Sequence, residues 1–191
     1  MIDAGFFVKQ INSTPEGMDL PGVREICSVS HCISPDPEDW IRLWLHNDWG
    51  WFNRVSDALR VIPPGRQSAY RLFAYRMYPE VFTAGGRVPL AVPGNVRPKR
   101  IGGAFRRLGF DSASRSMESS LGLECSPLSC NSMAREFPVN ACCLFDSLDV
   151  ALAGATRFSI EQPESGDYYV VEVLEADVRP NGSSIPRATV V

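Results

Sequence analysis

The sequence predicts an α+β domain: a central mixed or antiparallel sheet with short covering helices, built from two similar halves. Three observations predict it. Residues 70–78 and 168–174 are rich in aromatic and β-branched side chains and read as strands. Upstream of each lies a short segment with apolar residues at helical spacing. The helical segments stand 93 residues apart and the strands 98, the nearly constant offset of an internal repeat. A chain of 191 residues, 45% hydrophobic and 21% charged, fits one folded domain over 1–191, with repeat halves 24–80 and 122–178.

In chain order, the first expected helix is 37–46. Asp36 can cap it, Pro37 suits its first position, Glu38 and Asp39 complement the dipole, and Trp40, Ile41, Trp44 and Leu45 form its apolar face. The first copy of the repeat follows. Residues 51–59 align without a gap on 144–152, and Asn47 falls on Asn140. Asn53 and Asp146 are the expected caps. Val55, Ala58, Leu59 and Ile62, and in the second copy Leu148, Ala151, Leu152 and Ala155, repeat i, i+3, i+4, i+7. Pro63 and Pro64 stop the first helix, and the second runs on to about Phe158.

Apolar side chains at consecutive positions make both following strands central rather than edge strands. Residues 79–104 hold so many Pro and Gly that they read as a connector with at most short extended pieces, and the tail from Arg179 reads as a turn and a loose end.

A formal charge of −3 neither points to nor forbids an anionic partner. No apolar run approaches the roughly 20 residues of a membrane span, and residues 1–9 lack the pattern of a secretory signal. The expectation is a cytoplasmic protein without a membrane partner, in which Cys27, Cys32, Cys125, Cys130, Cys142 and Cys143 stay thiols or bind metal.

Cys27, Cys32, Cys125 and Cys130 form two Cys-x4-Cys pairs, 98 residues apart, that could give four thiolates to a tetrahedral zinc stapling the halves. The competing expectation is small buried thiols. For the vicinal pair, an extended chain sends Cys142 and Cys143 to opposite faces. A nucleophilic cysteine would need His31 or His46 as base; His31 directly precedes Cys32, where adjacency on a strand sends the two side chains apart, and nothing in the sequence supports a dyad through His46.

Trp44, His46, Asn47, Asp48 and Trp49, with Trp51 beyond them, could wall a binding pocket, but buried Trp at a helix-to-strand junction is the favoured reading. Arg76 and Glu172 each place a charge on a strand face otherwise lined by Tyr70, Leu72 and Ala74 or by Tyr168, Val170 and Leu174. A salt bridge between them is favoured over two groups facing a ligand. Arg97, Lys99, Arg100, Arg106 and Arg107 form the one basic stretch, read as solvated charge because no nucleic-acid-binding signature accompanies it.

Residues 143–175, from Cys143-Leu144-Phe145-Asp146 through Ala151 to Tyr169-Val170-Val171-Glu172-Val173, resemble the strand, S-x-x-x-A helix and strand of small ADP-ribosyltransferases of the rifampin-modifying kind. The resemblance covers about a sixth of the chain. That family's early His-Gly-Thr segment, which holds the nicotinamide nucleotide, has no counterpart, since neither histidine is followed by Gly-Thr. No catalytic residue is carried over. The first expectation is therefore a non-enzymatic protein-binding or regulatory module using its aromatic segment or a sheet edge, with another protein as partner. The alternative is an NAD-dependent ADP-ribosyltransferase-like transferase. No motif requires a cofactor; zinc rests on the cysteine spacing alone, and NAD enters only with the alternative.

Overall fold

The computed structural model describes residues 1–10, 20–30, 40–43, 45–101, 104–116 and 122–177. Strands β1 (Ile2–Lys9), β2 (Arg71–Thr83), β3 (Gly86–Pro89), β4 (Phe105–Arg115) and β5 (Asp167–Ala176) form one sheet in the order β1-β2-β5-β4, with β3 paired to the distal end of β2. All neighbouring pairs are antiparallel. Helices α1 (Val55–Arg60), α2 (Pro127–Cys130) and α3 (Leu148–Glu161) complete an α+β architecture. None of these helices is long and apolar enough to cross a membrane.

The two strands read as central are central: β2 and β5 pair with each other and carry buried side chains on both faces. Arg76 stands directly opposite Glu172, and Tyr75 opposite Val173. Before α1, Asn53 does not cap. Its Oδ1 accepts from the amide of Arg97 at 3.0 Å and from Asn47 Nδ2 at 3.2 Å, tying the connector to the turn. The N-cap is instead Arg54, without a side-chain bond, and at α3 it is Ser147, whose hydroxyl accepts from the Val150 amide.

The helix expected over 37–46 is also corrected. Residues Trp40–Leu43 form a 3-10 turn, residues 37–39 and Trp44 lie outside the described residues, and His46 pairs with Phe52 in an isolated bridge. Trp40 is buried but Ile41 and Leu43 are exposed, because the tighter turn rotates them off the core face. His31, Cys32 and the tail from Arg179 likewise fall outside the described residues.

The turns before α1 and α3 share one hydrogen-bond pattern. Asn47 Oδ1 accepts from the amides of Trp49 and Trp51 at 3.0 and 3.3 Å, while its Nδ2 donates to Ala4 O at 3.0 Å. Asn140 Oδ1 accepts from Cys142 and Leu144 at 2.9 and 3.2 Å, and its Nδ2 donates to Leu108 O at 2.8 Å. Phe6 and Phe52 exchange both backbone bonds, as do Phe110 and Phe145. At each junction a glycine in the neighbouring edge strand admits the turn. A Cβ on Gly5 would lie 2.8 Å from Trp51 Cβ, and one on Gly109 would lie 2.7 Å from Phe145 O. Both glycines mark irregular register in β1 and β4.

Two apolar clusters hold the layers. One gathers Phe6, Phe7, Trp40, Trp49, Trp51, Phe52 and Ala58 over Phe73, Tyr75, Met77 and Val173. The other packs Ala151, Ala155 and Phe158 of α3, with Phe145, against Phe82, Phe110, Tyr168 and Val170. Both helices bury the face their spacing requires, with Ala58 in α1 and Ala151, Gly154, Ala155, Phe158 and Ser159 in α3.

Candidate functional site

By register, Lys9, Arg71, Glu175 and Asp111 share one face of the sheet, and Arg76 and Glu172 share the other. Chain segment 24–30 crosses the first face. Lys9, 1% exposed, reaches it from β1 and donates from Nζ to the carbonyls of Ser28 at 3.2 Å, Val29 at 3.1 Å and Ser30. Asp111, fully buried on β4, accepts from Ser28 Oγ at 2.8 Å, the Val29 amide at 2.9 Å and Ser126 Oγ at 2.6 Å. Two buried charges from opposite edge strands thus hold one strap, each satisfied by polar partners as burial demands.

At the start of the strap, side chains of differing chemistry converge. The amides of Arg24 and Glu25 donate to Ala141 O at 2.9 and 3.1 Å, and that of Cys27 donates to Cys142 O at 3.1 Å. Cys27 and Cys142 Sγ lie 3.7 and 3.5 Å from Glu25 Oε1, and the three ligand atoms are all within 4.8 Å of one another. Glu25 Oε2 receives Arg71 Nη1 at 2.7 Å, Arg71 also binds Glu175, and Glu175 binds Arg106 at 2.5 Å.

Burial alone would raise the Glu25 carboxyl, but the Arg71 guanidinium bonded to it, with help from the two thiols, holds it below the ordinary carboxylate range. The hydrogen bond shared with Cys142, together with burial, pushes the Cys27 thiol up; the same bond draws the Cys142 thiol down, so Cys142 is the first of the two to ionise. Cys143 next door is pushed up to about 12 by burial and by Asp111 and Cys130. Its φ of 60° places it in a turn, so the alternation expected of an extended Cys142–Cys143 pair does not apply.

The residues singled out from sequence scatter over other places. Cys125 and Cys130 come together with Glu164, again within 4.8 Å, in a cluster separate from Cys27. Trp49 is 3% and Trp51 0% exposed, so these two rings line the core, while Trp44 lies outside the described residues. His46 rests edge-on against Trp40 with Nδ1 3.2 Å from Asn47 O, Asn47 builds its turn, and Asp48 accepts from Asn95 Nδ2 at 2.7 Å. Arg76 meets Glu172 at 3.3 Å and Asp3 at 2.9 Å and donates to Ile101 O, the salt bridge favoured for that face. In the basic stretch, Arg106 is bound to Glu175 and Arg107 lies over the Phe110 ring, so these two belong to β4 and not to a connector.

Lys9, Glu25, Arg71 and Asp111 escaped sequence reasoning. Two local signals pointed to Lys9 and Asp111, a lysine closing an apolar run and an aspartate inside a Ser-rich one. No family model, curated protein or solved structure matches this chain.

Proposed function

We propose that the protein is a non-enzymatic protein-binding or regulatory module that engages an extended segment of a partner along the free edge of β3. The observation that carries this reading is the exposure of β3 at every position from Gly86 to Pro89, with pairing to β2 on one side alone among the described residues. Val88 is 46% and Val92 43% exposed, so apolar side chains accompany that open ladder. An edge of this kind offers main-chain donors and acceptors for strand addition. The hairpin beneath it is held firmly: Thr83 Oγ1 donates to Gly86 O at 2.8 Å, and Arg87 lies over the Phe82 ring.

The burial of Trp49 and Trp51 favours this edge over the aromatic segment as the contact surface. A reducing cytoplasmic setting belongs to the same proposal. So does descent of the halves 24–80 and 122–178 from one repeated unit, which the matched Asn47 and Asn140 turns support. In the competing NAD-dependent transferase, Arg76 and Glu172 would serve the ligand; their engagement with each other and with Asp3 weighs against it.

Two measurements test the proposal. A photo-crosslinker at Val88 is expected to capture a partner peptide that the same probe at Ile160, exposed on α3, does not, and Arg87→Pro, which removes an amide facing the open side while Val88 keeps its ladder bonds to Val81, is expected to abolish capture. Equal capture at both sites would remove the edge reading. Incubation with NAD is expected to release no nicotinamide and to leave the melting temperature in place; turnover would give the assignment to the transferase.

A further inference from the structure

We infer that Glu25, Cys27 and Cys142 form a binding site for one thiophilic divalent cation, zinc by preference, with a solvent molecule in the fourth position. The inference is independent of the β3 edge. Zinc takes sulfur at about 2.3 Å and carboxylate oxygen at about 2.0–2.2 Å in a tetrahedron, which puts sulfur and oxygen ligands roughly 3.5 Å apart. The two sulfurs stand 3.7 and 3.5 Å from Glu25 Oε1. An ion can therefore enter with small side-chain adjustments and no change of backbone.

The ligands are also held as a metal site holds them. The Cys27 amide bonds to the Cys142 carbonyl, the Glu25 amide bonds to the Ala141 carbonyl, and the Cys142 amide is fixed by Asn140 Oδ1 at 2.9 Å. Strap and turn are thus joined at the positions that carry the ligands. Glu25 turns its second oxygen to Arg71, itself anchored by Glu175, the kind of outer support that orients a ligating carboxylate. Charge closes as well. Two thiols lose their protons to solvent, the divalent ion with two thiolates and one carboxylate carries a net −1, and the adjacent Arg71 cation balances it. Cys142 and Glu25 are partly exposed, which leaves a path for the ion and a place for the solvent ligand. The Cys125, Cys130 and Glu164 cluster shares the residue types, but among the described residues no guanidinium forms an ion pair with its carboxylate.

The test is titration of the reduced, metal-free full chain with cobalt(II), then displacement by zinc. One equivalent is expected to bind with a thiolate-to-cobalt charge-transfer band in the near ultraviolet and visible bands of a tetrahedral centre. Two protons per ion should be released, so affinity rises with pH. Cys142→Ser and, as a second variant that keeps the thiols, Glu25→Gln should each weaken binding about 100-fold; Arg71→Lys should weaken it about 10-fold as an outer-support change, and Cys125→Ser should leave it unchanged. Absence of the charge-transfer band, or retention of full affinity in folded Cys142→Ser or Glu25→Gln, would overturn the assignment. So would loss of binding in Cys125→Ser alone.

Discussion

The turn that enters α1 and the turn that enters α3 are built by the same kind of side chain, an asparagine whose oxygen collects two amides and whose nitrogen reaches back to an edge strand. The helices that follow differ: α1 has 6 residues and α3 has 14. Local chemistry accounts for this. Arg54 supplies no side-chain cap and Pro63 and Pro64 stand just beyond α1, whereas Ser147 caps α3 and no proline interrupts it before Pro163. Packing adds to it, since α3 lays Gly154 against the Phe145 ring, where a Cβ would come within 2.7 Å, and sends Phe158 toward Phe137. The comparison teaches that the turn and its glycine are the shared unit, while helix length follows from what is at hand to cap, stop and cover it.

The most severe way to break the comparison is at the glycines. Gly109→Ala and Gly5→Ala are each expected to cost about 3 kcal/mol or more. Gly109 should be the worse, because its Cβ would meet a backbone oxygen at 2.7 Å where that of Gly5 first meets a side-chain carbon. Denaturant titration measures both, and tolerance of one alone would mean that the two junctions are not equivalent. Next come the asparagines. Asn47→Ala and Asn140→Ala each orphan two amides, an expected loss of about 2–3 kcal/mol, larger for Asn47 because it is 1% exposed.

A smaller effect separates the helices. Ser147→Ala should lower the unfolding free energy by about 1 kcal/mol, and Arg54→Ser should raise it by a few tenths; no gain at Arg54 would mean that Pro63 and Pro64, not the missing cap, limit α1. The gentlest probe is pH. Glu25 has a folded pKa below its unfolded one, so its contribution is complete above the unfolded value and fades as pH falls through the folded one. Melting curves from pH 7 to pH 3 should fall less steeply for Glu25→Gln than for the parent.

Much of the fold was legible because it depends on short-range patterns. Apolar spacing located the helices around Ala58 and Ala151, and unbroken apolar runs marked β2 and β5 as central. β1 and β4 were hidden. Gly5 and Gly109 interrupt them, and Asp111, Ser112 and Ser114 give β4 the look of a polar loop, although all three are buried. Asn53 and Asp146 looked like caps because their residue types suit that role; one position decides which carbonyl and amide they meet, and each was already taken by its turn.

The site was less legible still. Arg76 and Glu172 were paired on the argument that lone charges avoid buried faces, and the strand register brings them opposite each other. Cysteine spacing directed attention along the chain to Cys32, outside the described residues, whereas the neighbours of Cys27 are Glu25 and a residue more than a hundred positions away.

By itself the amino-acid order determined what short-range forces decide: where helices can start and stop, which strands meet protein on both faces, and which charges need partners. The tertiary structure alone decided which distant groups share a neighbourhood. Strand order carries Lys9 and Asp111 to one strap, and backbone bonds from the strap to Ala141 and Cys142 set Cys27 beside Cys142. Periodicity speaks for neighbours a few residues apart, while contacts across the sheet depend on register and crossover, which no local pattern encodes.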